Sequence, residues 1–61
     1  MIKVGDLVTV QPLDENLYLV VALARAEPDS SKVGSLWSLY GPHIGVQPMY
    51  EKWIEVVHES Q

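Results

Sequence analysis

Apolar and polar positions alternate over short stretches, and turn residues cut the stretches apart. That is the signature of strands rather than helices. Residues 6–11 read Asp-Leu-Val-Thr-Val-Gln, rich in β-branched side chains. Gly5 before them predicts a turn or bulge. Pro12 after them ends the strand, because proline has no N–H to give to a ladder. Residues 13–16 are polar and predict a loop. Residues 17–26, Leu-Tyr-Leu-Val-Val-Ala-Leu-Ala-Arg-Ala, hold enough Ala and Leu for a helix. Tyr18, Val20, Val21 and the turn clusters on both sides predict a long strand instead. Residues 27–32 read as loop. Residues 33–40 predict a third strand with Gly34 at a bulge, and Gly41-Pro42 a turn. Residues 44–47 predict a short fourth strand closed by Pro48. Residues 49–53 are too few for a stable helix and fit one 3₁₀ turn. Residues 54–57 predict a fifth strand, and 58–61 a polar tail that frays.

These elements predict an all-β fold: a small five-stranded SH3-like barrel with one 3₁₀ turn before the last strand. It spans residues 1–61 as a single domain. An OB-fold would need a longer chain and a helix between strands three and four.

Length and charge narrow the classes. The chain has 61 residues, no cysteine and a net charge of −4. Without cysteine there is no disulfide framework, thiolate nucleophile or cysteine zinc site. No apolar run reaches the ~18 residues of a membrane helix. Lys3 and Asp6 interrupt any signal-peptide core. A folded chain this small exposes roughly 4,000 Å² and buries about 60% of its unfolded surface, which is marginal. A ligand pocket of ~300 Å³ is hard to cut from so small a core. Size therefore favours a binding or structural role.

The chemistry-bearing residues agree. The five serines lack a Gly-x-Ser-x-Gly elbow, and there is no glycine-rich phosphate loop. No catalytic residue and no cofactor is expected. His43 and His58 are too few for a zinc site. Glu51, Glu55 and Glu59 would share a face only on a helix, so no metal is expected either. Four cations scattered along an acidic chain make no phosphate-binding patch, which argues against nucleic acid as the partner.

What remains is apolar surplus. A half-exposed strand should alternate apolar with polar, yet both faces of 17–26 are apolar. Leu17, Leu19, Val21 and Leu23 fall on one side, and Tyr18, Val20, Ala22 and Ala24 on the other. In a long bent strand the two ends can serve different parts of a core, and the rest of the surplus implies an interface. Val56 and Val57 pose the same question. All five aromatics are Tyr or Trp, each with a polar handle suited to a surface that is packed at one end and wet at the other. Trp37 is expected in the core by its place in a central strand, and Trp53 near an end of the barrel. Tyr18, Val20, Tyr40, His43 and Tyr50 are the candidate partner-binding residues. Arg25, Glu27, Asp29 and Lys32 read as a solvated loop of mixed charge.

Ile2-Lys3-Val4-Gly5-Asp6-Leu7-Val8, Leu19-Val20-Val21, Leu36-Trp37 and Trp53-Ile54-Glu55-Val56-Val57 occur in the order found in small SH3-like barrel proteins of tailed phages, cyanophages among them. The chain resembles these from about residue 2 to residue 58. Lys-x-Gly-Asp-x-Val also opens SH3, KOW and PsaE-like barrels, and strand 17–26 is more apolar than that pattern allows. The resemblance implies the fold and a viral setting: a virion structural or assembly component, in the capsid or tail. Its partner would be a viral structural protein, and it could form a homo-oligomer. Two alternatives stand beside it. One is an early regulator of a host enzyme or defence protein in the host cytoplasm, which the acidic surface suits. The other is a KOW-like accessory of a nucleic-acid machine.

Overall fold

A computed structural model describes residues 2–11, 16–28 and 32–59. The strands are β1 (Leu7–Val10), β2 (Tyr18–Arg25), β3 (Leu36–Gly41), β4 (Gly45–Tyr50) and β5 (Ile54–His58), with a 3₁₀ turn at Glu51–Trp53. They form one antiparallel sheet in the order β4-β3-β2-β1-β5. The expected all-β class, strand count and 3₁₀ turn before the last strand are all present. The hydrogen-bonded order ends at β4 on one side and β5 on the other.

The opening Lys-x-Gly-Asp motif has a local cause. The Asp6 N–H donates to the Lys3 carbonyl at 3.2 Å, closing a turn. Gly5 is its third residue, at φ 98°, which a side chain would resist. The Lys3 N–H donates to Asp6 Oδ2 at 3.0 Å, and Asp6 is fully buried. Two more bonds stitch this turn to β2. The Gly5 N–H donates to the Val20 carbonyl at 2.8 Å, and the Val20 N–H to the Asp6 carbonyl at 3.0 Å.

The β3–β4 hairpin is equally determined by its residues. The Ile44 N–H donates to the Gly41 carbonyl at 3.1 Å, with Pro42 and His43 as the central pair. Gly45 follows at φ 71°. A turn with Pro in second place, followed by one left-handed residue, is a standard three-residue hairpin loop. It pairs Gly41 with Gly45 and so sets the register of both strands.

Several ends shift by one or two residues, His58 joining β5 rather than the expected tail, and two boundaries differ more. The fourth strand does not stop at Pro48; it runs to Tyr50, with Pro48 opposite Ser38. Because β4 is an edge strand, a missing N–H that points away from β3 removes no ladder bond. The third strand starts at Leu36 rather than 33, so Gly34 lies before it and is not a bulge within it. The carbonyls of Val33 and Ser35 are taken instead by Lys52 and Glu51 N–H groups, both at 2.9 Å. Trp37 Nε1–H donates to Glu51 Oε1 at 3.2 Å, which ties the 3₁₀ turn to β3 a second time. Strand β2 carries irregularities between Val20 and Ala22 and between Leu23 and Arg25. Each inserts an extra residue, bends the strand and turns the side chains after it over.

The core is Ile2, Val8, Val10, Tyr18, Val20 and Leu39, with Trp37, Met49, Ile54 and Val56 partly buried against it. The total exposed area is 4294 Å², slightly above the ~4,000 Å² that scaling gives for this mass.

Candidate functional site

Register assigns the paired strand residues to the inner or the outer face. Val8 pairs with Tyr18, and Val20 with Leu39, all four buried. These mark the inner face. One residue along, Leu7 pairs with Leu19, Leu19 with Tyr40, and Tyr40 with Val46. This second row crosses four neighbouring strands on the outer face. Leu7 is half-buried, and Leu19, Tyr40 and Val46 are 38%, 45% and 58% exposed. Paired side chains on one face lie ~5 Å apart, so the row is continuous.

Two more rows complete the outer face of β2–β4. Ala22, Ser38 and Pro48 form the middle one, and Arg25, Leu36 and Tyr50 the last. The middle row is built of shorter side chains than the rows on either side of it. Tyr40 stands on one side of it and Tyr50 on the other, roughly 13 Å apart at ~3.3 Å per residue. Arg25 is the one charged residue of these rows. Its Nε lies 3.3 Å from Glu27 Oε2, and its Nη2–H donates to the Tyr50 hydroxyl at 3.4 Å. The three rows contain no carboxylate, although the whole chain has a net charge of −4.

The five expected contact residues divide. Tyr40 and Tyr50 both lie on this face, and His43 is exposed at the adjoining hairpin tip. Tyr18 and Val20 do not join them. They are 5% and 0% exposed and belong to the core, so that part of the expected contact set is corrected. The reason is parity: they alternate with Leu19, and it is Leu19 that faces out. The Tyr18 ring lies directly on Gly41, where a Cβ would come within 2.6 Å of Cε1. Leu7, Leu19 and Val46 were missed as surface residues. The hairpin symmetry about His43 could have found Val46, since a Gly41–Gly45 pair places Tyr40 opposite it.

Trp37 is packed against the core as expected, but only partly buried, and Trp53 is 40% exposed. Lys52 Nζ lies 5.2 Å from the Trp53 ring centroid. Of the residues expected in a mixed-charge loop, Arg25 instead ends β2 and pairs with Glu27, and Asp29 lies outside the described residues. Glu51 sits in the 3₁₀ turn and Glu55 in β5, so no helix aligns them. Among the described residues no group of three or more His, Cys, Asp and Glu gathers as metal ligands. A cavity of about 20 Å³ opens between Val10, Tyr18, Leu39, Ile44, Gln47, Pro48 and Met49. A shallow depression of about 300 Å³ lies over Lys32, Gly34, Glu51 and Lys52.

No protein-family model matches the chain, and no curated protein or solved structure does either.

Proposed function

We propose that the protein is a non-enzymatic protein–protein interaction module that docks through the outer face of β2–β4. The observation that carries this reading is the continuous row of Leu7, Leu19, Tyr40 and Val46 on four adjacent strands. Scattered surface apolar residues are ordinary, whereas a contiguous apolar patch marks an interaction site. Tyrosine at its centre suits an interface, because it brings a large rigid area and a hydroxyl. The setting rests on the resemblance to phage SH3-like barrels and is a capsid or tail assembly.

Affinity capture from phage-infected cells tests this, using tagged wild type beside Tyr40→Ser and Val46→Lys. Recovery of capsid or tail proteins by the wild type, reduced in both variants, is the expected result. Recovery of a host enzyme would move the module to the regulator class. Recovery unchanged in both variants would remove the outer face from the reading.

A further inference from the structure

The two edges of the sheet differ, and we infer that β5 accepts an extended, basic segment of a partner protein as a sixth strand. This surface is separate from the outer face of β2–β4 and does not depend on it.

The backbone of β5 is open on its far side. The Gln11 N–H donates to the Trp53 carbonyl at 2.8 Å, and Val10 lies opposite Ile54. Antiparallel bonds form at alternate pairs. Thr9 and Glu55 therefore exchange both bonds, and Val8 and Val56, one pair further on, exchange none. The Ile54 N–H donates to the Glu51 carbonyl of the 3₁₀ turn. The Ile54 carbonyl and both backbone groups of Val56 point away from β1, to a side where no strand pairs among the described residues. The bulge of β5, between Val56 and His58, comes after these three groups and leaves them in line. At the opposite edge, β4 carries Pro48 in place of such a donor. The row on β5 is therefore the one that a further strand can join.

Side chains select the kind of strand. Glu55 stands on the outer face beside Thr9, whose hydroxyl accepts from Gln11 Nε2 at 3.4 Å. Glu59 follows β5 and is exposed. Among the described residues neither carboxylate is in an ion pair. The nearest lysine in the sequence, Lys52, lies over the Trp53 ring at 5.2 Å. Val56 faces inward against the core, and Val57 beside it is 47% exposed. A joining strand sets its own side chains ~5 Å from these. Opposite Glu55 it needs a lysine or arginine, and opposite Val56 an apolar residue. Alternating basic and apolar residues meet both needs. A chain of net charge −4 attracts such a segment and repels an acidic one. Main-chain bonds then hold the segment, and the charges choose it.

Amide exchange and amide shifts of the full chain, read by NMR with a blocked hexapeptide of alternating lysine and valine, test this. Peptide at about 1 mM should slow exchange of the Val56 N–H about fivefold or more and leave that of Thr9 unchanged. Val56→Pro keeps every bond to β1 and should weaken peptide binding about tenfold or more. Glu55→Lys should weaken it severalfold, and Tyr40→Ser should bind as wild type does. The same peptide N-methylated at its valines has no donors to set against Val56 and should not bind. If Val56→Pro fails to fold, Glu55→Lys and the N-methylated peptide still decide the matter. Exchange at Val56 unchanged by the peptide, or equal binding by the N-methylated peptide, would overturn the added strand and leave the outer-face reading intact. Equal binding by a peptide of alternating glutamate and valine would overturn the basic partner. A doubled mass in sedimentation, with Val56 protected before any peptide is added, would give the edge to a second copy and overturn the foreign segment.

Discussion

The two faces of β2–β4 are made from alternate residues of the same strands, yet they differ in what holds them. On the inner face Tyr18, Val20 and Leu39 are almost wholly removed from water. On the outer face their neighbours Leu19 and Tyr40, with Val46, are just as apolar and stay more than a third exposed. Side-chain chemistry does not separate the two sets. Only the sheet's curvature, which brings β1 and β5 over one side, decides which set is covered within the chain. Apolar character alone is thus a poor guide to the core in so small a domain. The uncovered set is what a partner would complete.

Substitutions across the two faces sharpen this comparison. Tyr18→Ala should have the largest effect. Emptying a buried aromatic site costs about 3–5 kcal/mol, and a 61-residue domain has only ~3–9 kcal/mol in total. Urea denaturation should show a chain largely unfolded in buffer. Tyr40→Ala, on the opposite face, removes an aromatic of the same size and should shift stability by about 0.5 kcal/mol or less under dilute conditions. A comparable loss in both would erase the distinction between the faces.

Gly41→Ala comes next. Its Cβ would meet the Tyr18 ring at 2.6 Å, and overpacking of this kind costs about 1–3 kcal/mol. A smaller penalty in a Tyr18→Leu background would show that the ring is the obstacle. Asp6→Ala should cost a similar ~1–3 kcal/mol, because the Lys3 N–H loses the buried Asp6 carboxylate as its acceptor. Hydrogen exchange at Lys3 and Gly5 would then rise before that at Val20. Glu51→Ala should cost less than Gly41→Ala or Asp6→Ala, about 0.5–1.5 kcal/mol from the lost bond to Trp37. A change in Trp37 fluorescence that Glu51→Gln largely restores would assign the effect to that bond.

Local patterns announced most of the elements. β-branched runs between turn residues marked the strands, and Gly5 and Gly41-Pro42 marked the turns that join or open them. The 3₁₀ turn followed from a segment too short for a helix. The site was less legible. Strand β2 is apolar on both faces, so alternation gave two equivalent sets, and the set containing Tyr18 and Val20 proved to be the core. Its two irregularities confuse parity further, because side chains beyond Val20 no longer follow the period set by Tyr18. Pro48 misled for a different reason. Proline stops a strand only where its N–H is needed, and that depends on whether the strand lies at an edge.

The sequence by itself determined the all-β class, the turns and the set of residues apolar enough to be buried, because these depend on backbone sterics and hydropathy over a few residues. Which half of the apolar set is buried was decided only by the tertiary structure. So was the alignment of Leu7, Leu19, Tyr40 and Val46 into one row. Both depend on the pairing of distant strands, and each strand's period of two is satisfied equally well with either face turned inward.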